Sequence, residues 1–184
     1  DGRHMPVSFR VGVTRDLLPH RDTLGADGIG LDILEAVDGV EWEFLAERVD
    51  TIRADQAAEY DALFVLGCGV TAETLAGVHN LSIVARFGVG YDRVDVEACT
   101  RNAVLLTITP DGVRRPVASS ALALILALAH KLHIKDKLTR EGRWADRADH
   151  MGMGLSGRVL GIIGLGNIGR ELCDLARPFG MRYI

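Results

Sequence analysis

The chain has 184 residues, 48% hydrophobic and 25% charged, with a formal net charge of −4 at pH 7. That length can bury one sizeable core or two small ones. The mild acidity argues against a general nucleic-acid-binding or membrane-surface protein, since either wants a basic face. Arg114-Arg115 and residues 131–140 are locally basic and read as solvated faces or a dimer rim. Residues 1–5 read as a remnant outside the fold, with no secretory signal in view. Cys68, Cys99 and Cys173 are far apart and lack metal-ligand spacing. Three free thiols in a reducing cytoplasm, and no metal centre, are therefore expected.

Short apolar strands alternate with helical stretches from residue 9 onward, the pattern of a parallel sheet covered on both faces. The first strand is expected at 9–13, followed by a helix at 29–37 that turns Leu31, Ile33, Leu34 and Val37 inward. Further strands are expected at 41–45 and 62–66. Thr71, with Glu73 and Thr74 behind it, is suited to cap a short helix. A strand at 82–85, a helix at 94–101 capped by Asp92 or Asp95, and a strand at 104–107 complete one α/β domain. Residues 110–116 look turn-rich and lead into a long apolar helix at 117–138. Its apolar part, 117–129, is interrupted by Ser119 and Ser120 and is shorter than a membrane span, so it reads as a buried helix. Residues 143–157, with their glycines and Trp144, read as a surface connection or arm.

The strongest signal comes late. An apolar strand at 158–163 runs into Gly164-Leu165-Gly166-Asn167-Ile168-Gly169, and a helix at 168–179 follows with Ile168, Leu172, Leu175, Ala176 and Phe179 on one face. Pro178 and Gly180 end that helix, and residues 181–184 open a second strand. This is the start of a Rossmann dinucleotide-binding unit, with a job for each glycine. Gly164 permits the tight turn, Gly166 admits a pyrophosphate close to backbone, and Gly169 lets the helix pack on its strand. The unpaired N–H groups of the helix's first turn, around Asn167 and Ile168, would face the phosphates.

The chain from about residue 7 to 184 resembles the D-2-hydroxyacid dehydrogenases. The resemblance rests on Arg86-Phe87-Gly88-Val89-Gly90-Tyr91-Asp92-Arg93-Val94-Asp95, on Thr109-Pro110-Asp111-Gly112-Val113, and on the glycine motif at the right distance. It implies a flavodoxin-like N-terminal substrate domain with a parallel sheet over residues 6–115. Residues 116–184 would then be an interdomain helix, an arm and an incomplete NAD(P)-binding Rossmann domain. It also implies that Val89 and Gly90 offer backbone donors to a substrate carboxylate, with Val89 also beside the nicotinamide. Gly67-Cys68-Gly69 resembles the family's other substrate-facing loop, which makes Cys68 and Gly69 candidates without giving the thiol a nucleophilic role. One departure stands out: the family's usual Val-Ala-Glu is here Val117-Ala118-Ser119.

The resemblance implies reversible hydride transfer between NAD(P), with NAD favoured, and a small 2-hydroxy or 2-oxo acid, in a cytoplasmic homodimer. The arginine, glutamate and histidine of that chemistry are expected beyond residue 184, so the chain alone is expected to be inactive. His4, His20, His79, His130, His133 and His150 sit in turns, on the long helix or near the start, and read as surface histidines. Two other readings stand beside this one: an NAD(H)-sensing corepressor-like binding protein, and a non-catalytic dimerising fragment.

Overall fold

The computed structural model describes residues 8–18 and 29–184. Residues 1–5, with His4, and also His20, lie outside the described residues. The chain divides into two compact units, Asp1–Thr109 and Pro110–Ile184.

The first unit is α/β. Its strands are β1 (Phe9–Val13), β2 (Val40–Phe44), β3 (Ala62–Val65), β4 (Ile83–Arg86) and β5 (Leu105–Thr107), all parallel, in the order β2-β1-β3-β4-β5. β3 is apolar throughout because both its faces are covered. Leu63 and Val65 enter one core with Leu75 and Val84, while Ala62, one residue out of phase, enters the other with Val11 and Val13. The edge strand β2 alternates instead, with Glu41 and Glu43 exposed and Trp42 and Phe44 packed edge to face at 5.6 Å. Thr14, fully buried where β1 ends, uses its hydroxyl to accept from Leu66 N–H and donate to the Phe64 carbonyl, both at 3.3 Å. That bond ties the carboxyl ends of β1 and β3 together.

Short helices link these strands: α1 (Asp32–Glu35), α2 (Ala54–Ala57), α3 (Ala72–Leu75) and α4 (Val96–Arg101). Thr71 caps α3 by accepting from Thr74 N–H, and Asp95, not Asp92, caps α4 by accepting from Ala98 N–H at 2.8 Å. The helix expected over 29–37 is a single turn. One turn carries only residues three apart to the core, so Leu31 is buried and Leu34 packs beside it, while Ile33 and Val37 stay exposed.

The second unit contains α5 (Pro110–Ala129), α6 (Leu132–Arg140), a 3₁₀ segment (Trp144–His150), β6 (Val159–Leu160), α7 (Asn167–Ala176), a 3₁₀ turn (Arg177–Phe179) and β7 (Arg182–Tyr183). β6 and β7 pair in parallel through Val159 with Arg182 and Leu160 with Tyr183. Four expectations are corrected here. Residues 110–116 are the opening turns of α5, because a proline at the first helical position has its φ already set and no N–H to lose. Pro116 lies further inside, and its carbonyl accepts the hydroxyls of Ser119 and Ser120, each at 2.9 Å. The single long helix is broken at Lys131, whose φ of 53° is left-handed, so α5 and α6 are separate. Nor is α5 buried: Ala118 alone is, while Leu124 and Leu128 are 66% and 67% exposed. By length and composition α5 could cross a membrane, with a mean hydropathy of 1.4. The strand expected over 158–163 shortens to two residues, because β7 offers only two partners.

Candidate active site

In a doubly wound sheet of order 2-1-3-4-5, ligands bind outside the carboxyl ends of the strands, where the winding reverses between the first and third. Here those ends carry Asp16, the Gly67–Cys68–Gly69 loop and the loop after β4. A cavity of about 170 Å³ opens among Gly67, Cys68, Arg86, Gly90, Tyr91 and Arg93. The two loops singled out in the sequence are thus brought together.

The loop after β4 is held from three sides. Phe87 N–H donates to the Val65 carbonyl at 2.8 Å, and its ring packs edge to face on Phe64. Gly88 N–H donates to the Thr109 hydroxyl at 2.7 Å, and Thr109 N–H returns to the Gly88 carbonyl at 2.8 Å. Gly88 has a φ of 132°, a conformation that residues with a side chain rarely adopt, so glycine suits the position. Arg86 donates to the Phe87 carbonyl at 2.6 Å and has no carboxylate partner among the described residues. Val89 and Gly90 are exposed, and their N–H groups have no hydrogen-bond partner among the described residues. Gly90 and Arg86 line the cavity together with Asp92 and Arg93, while Val89 precedes Gly90 outside that lining. An open N–H and two guanidinium groups against one carboxylate leave room for a small anion.

The Gly67–Gly69 loop plays a different part. Gly69 is buried, its N–H donating to the Asp50 carbonyl at 2.8 Å and its carbonyl accepting from Ile52 N–H at 2.9 Å. Its polar groups are spent inside the domain, so it supports the loop and has no donor to give a ligand. Cys68 is 4% exposed and donates its thiol to the Val49 carbonyl at 3.0 Å. Burial, and secondarily the charge of Asp16, push this thiol up from 9.0 to about 11. Because the native thiol holds its proton more tightly than the unfolded one, its contribution to stability is complete below pH 9 and is lost as pH rises through about 11. The thiolate population at pH 8 is about 100-fold below that of an ordinary thiol. Iodoacetamide labelling followed by peptide mass spectrometry should therefore find Cys68 at least that much slower than the same peptide in denaturant.

Two features of this site escaped the sequence reading. Asp16, in the 3₁₀ turn after β1, accepts Gly67 N–H on Oδ2 at 2.6 Å, while its Oδ1 is buried without a partner among the described residues. Arg93 meets Asp50 at 2.6 Å, which holds that carboxyl below its usual range and pins the end of the β4 loop. Both pairings join residues more than 40 positions apart, a link no local pattern carries.

The glycine motif lies in the second unit, between β6 and α7. Gly164 adopts a φ of 94°, Gly166 is the extended residue capping α7, and Asn167 and Ile168 form the exposed first positions of the helix. A Cβ on Gly169 would run into the backbone carbonyl of Gly164, whereas one on Gly166 would meet nothing within 4 Å. Gly169 therefore permits close packing, and Gly166 leaves open space before the helix N-terminus. Glu171, one turn further along, is gripped by Arg115 at 2.8 Å and Arg114 at 3.5 Å, which fastens α7 to α5. Among the described residues no group of histidine, cysteine, aspartate and glutamate could hold a metal ion.

A doubly wound parallel sheet with open donors at its carboxyl edge, followed by a glycine turn opening a helix, defines an α/β protein built in two units. Residues 25–157 match the catalytic domain of the D-isomer specific 2-hydroxyacid dehydrogenases. The chain belongs to that family. It is 36% identical over 150 residues to a glyoxylate reductase of Thermococcus onnurineus, covering 78% of this chain and 45% of that protein. It is 39% identical over 156 residues to the D-3-phosphoglycerate dehydrogenase of Sus scrofa, covering 84% and 27%. The TT0316 protein of Thermus thermophilus superposes with a TM-score of 0.76 at 29% identity, over 95% of this chain and 55% of that one. The chain thus spans under half the length of these two curated relatives.

Proposed function

We propose that the chain supplies the substrate-binding domain and the pyrophosphate-binding turn of an NAD(P)-dependent D-2-hydroxyacid dehydrogenase. The observation that carries this reading is the open N–H of Gly90 in a cavity shared with Arg86, with the equally open N–H of Val89 next to it in the chain. They suit the carboxylate of a small 2-hydroxy or 2-oxo acid, with Val89 also facing the nicotinamide. Cys68 and Gly69 shape the wall behind that site. Gly164, Gly166, Asn167, Ile168 and Gly169 receive the pyrophosphate of NAD, which we favour over NADP. When bound, the nicotinamide supplies the hydride. This chain's residues bind and orient: among the described residues His79, His130 and His133 are exposed, His150 is half-buried, and no histidine lines the cavity.

The exposed apolar residues of α5, Val117, Leu124 and Leu128, favour a second copy of the protein as its cover. The Arg114 and Arg115 pairing with Glu171 makes a membrane a poor occupant for the helix's first half. Free thiols at Cys68, Cys99 and Cys173 suit the reducing cytoplasm, and the net charge of −4 suits neither nucleic acid nor an anionic membrane. Titration with glyoxylate, followed by amide NMR, tests the central reading. The Val89 and Gly90 resonances should move at millimolar ligand while NADH absorbance stays constant. Movement confined to other residues would sink it.

A further inference from the structure

Arg170 stands in the first turn of α7, directly after the last glycine of the motif. In a helix, a long side chain at this position leans back toward the N-terminus. Arg170 does so, donating from Nε to the Leu165 carbonyl at 3.1 Å, while its backbone N–H donates to the Gly166 carbonyl at 3.0 Å. One residue thus ties the helix to both non-motif and motif members of the turn. The Leu165 bond occupies a single N–H of five, and the guanidinium is exposed with no carboxylate within 4 Å among the described residues. The neighbouring cations are differently placed: Arg114 and Arg115 are on Glu171, and Arg177 is on Asp174.

We propose that Arg170 is a phosphate-binding residue of the dinucleotide site, its terminal nitrogens supplying the charge that the uncharged Gly166-Asn167-Ile168 turn lacks. This rests on the dinucleotide reading above and extends it from backbone donors to a named side chain. A helix N-terminus carries only about half a unit of positive charge, and a pyrophosphate carries about two negative ones. A guanidinium held over the turn corrects much of that imbalance, and its Leu165 bond fixes it there before the ligand arrives.

The 184-residue chain is titrated with ADP-ribose and, separately, with adenosine, reading the amide shifts of Gly166 to Gly169 by NMR. With Arg170→Gln, the ADP-ribose affinity is expected to fall about tenfold, the scale of one lost charge-assisted contact, while the adenosine response stays unchanged. Arg170→Lys should recover part of the loss, and added salt should weaken binding more steeply in the wild type than in Arg170→Gln. Should the wild-type glycine amides ignore ADP-ribose altogether, the dinucleotide reading itself fails. Should they respond with equal affinity and equal salt dependence in wild type and Arg170→Gln, that reading stands and the role given to Arg170 is overturned. If Arg170→Gln does not fold, Arg170→Lys and the wild-type salt series decide alone, a flat salt dependence being the overturning result.

Discussion

Leu63→Ala is expected to destabilise the first unit by about 2–5 kcal/mol, the range for deleting a fully buried leucine side chain. Leu63 is completely buried in β3, a strand paired on both sides, by β1 and β4. Its side chain enters the larger core with Leu75, Val65 and Val84, so the remaining walls cannot close over the void without moving the sheet. The loss is a large share of the roughly 5–15 kcal/mol that holds a domain together. Native-state amide hydrogen exchange reads it directly: protection across β3 and β4 should fall by at least tenfold. The wild type carries a related expectation. Of 25 buried apolar residues among those described, 22 lie in the first unit, and only Ala118, Leu138 and Ala176 lie in the second. Exchange in β1, β3 and β4 should therefore be slow, and in β6, β7 and the glycine turn fast. Equal protection in the two units would mean that burial within each one does not govern its stability.

That contrast also marks what could be read from the residues alone. β1 was legible to the residue, and β2 to β5 within one or two positions at each end, because short β-branched runs bounded by polar turns announce a strand while hydrogen bonding sets its exact ends. The cap at Thr71 was legible, and that of α4 was narrowed to Asp92 or Asp95, because a cap is a local bond between a side chain and an N–H three residues on. In the glycine motif, Gly164 meets a left-handed φ and Gly169 a close backbone approach, whereas nothing within the chain requires a glycine at 166. What escaped were links across the fold: Asp16 to Gly67, Arg93 to Asp50, and Arg114 and Arg115 to Glu171. α5 misled for another reason. Apolar composition shows that a helix face is suited to being covered, but not what covers it, and in this structure most of that face is open.

Gly169→Val and Gly166→Ala separate the two physical demands that the motif combines. A Cβ at position 169 would overlap the Gly164 carbonyl oxygen and lie 3.4 Å from its carbon, both backbone atoms that cannot swing aside. Either the turn opens or the first turn of α7 unwinds, and a β-branched residue adds its own reluctance to be helical. Gly169→Val should therefore lose helical signal by circular dichroism and weaken ADP-ribose binding by far more than tenfold, beyond NMR detection. Gly166 presents the opposite case. A Cβ there meets nothing within 4 Å, and its extended φ of −79° suits alanine, so Gly166→Ala should fold with an unchanged spectrum. If a pyrophosphate comes against that backbone, the added methyl occupies the phosphate's place, and binding should still fall at least tenfold. A folded Gly166→Ala that binds ADP-ribose as the wild type does would leave Gly169 its packing role and remove Gly166 from the binding site.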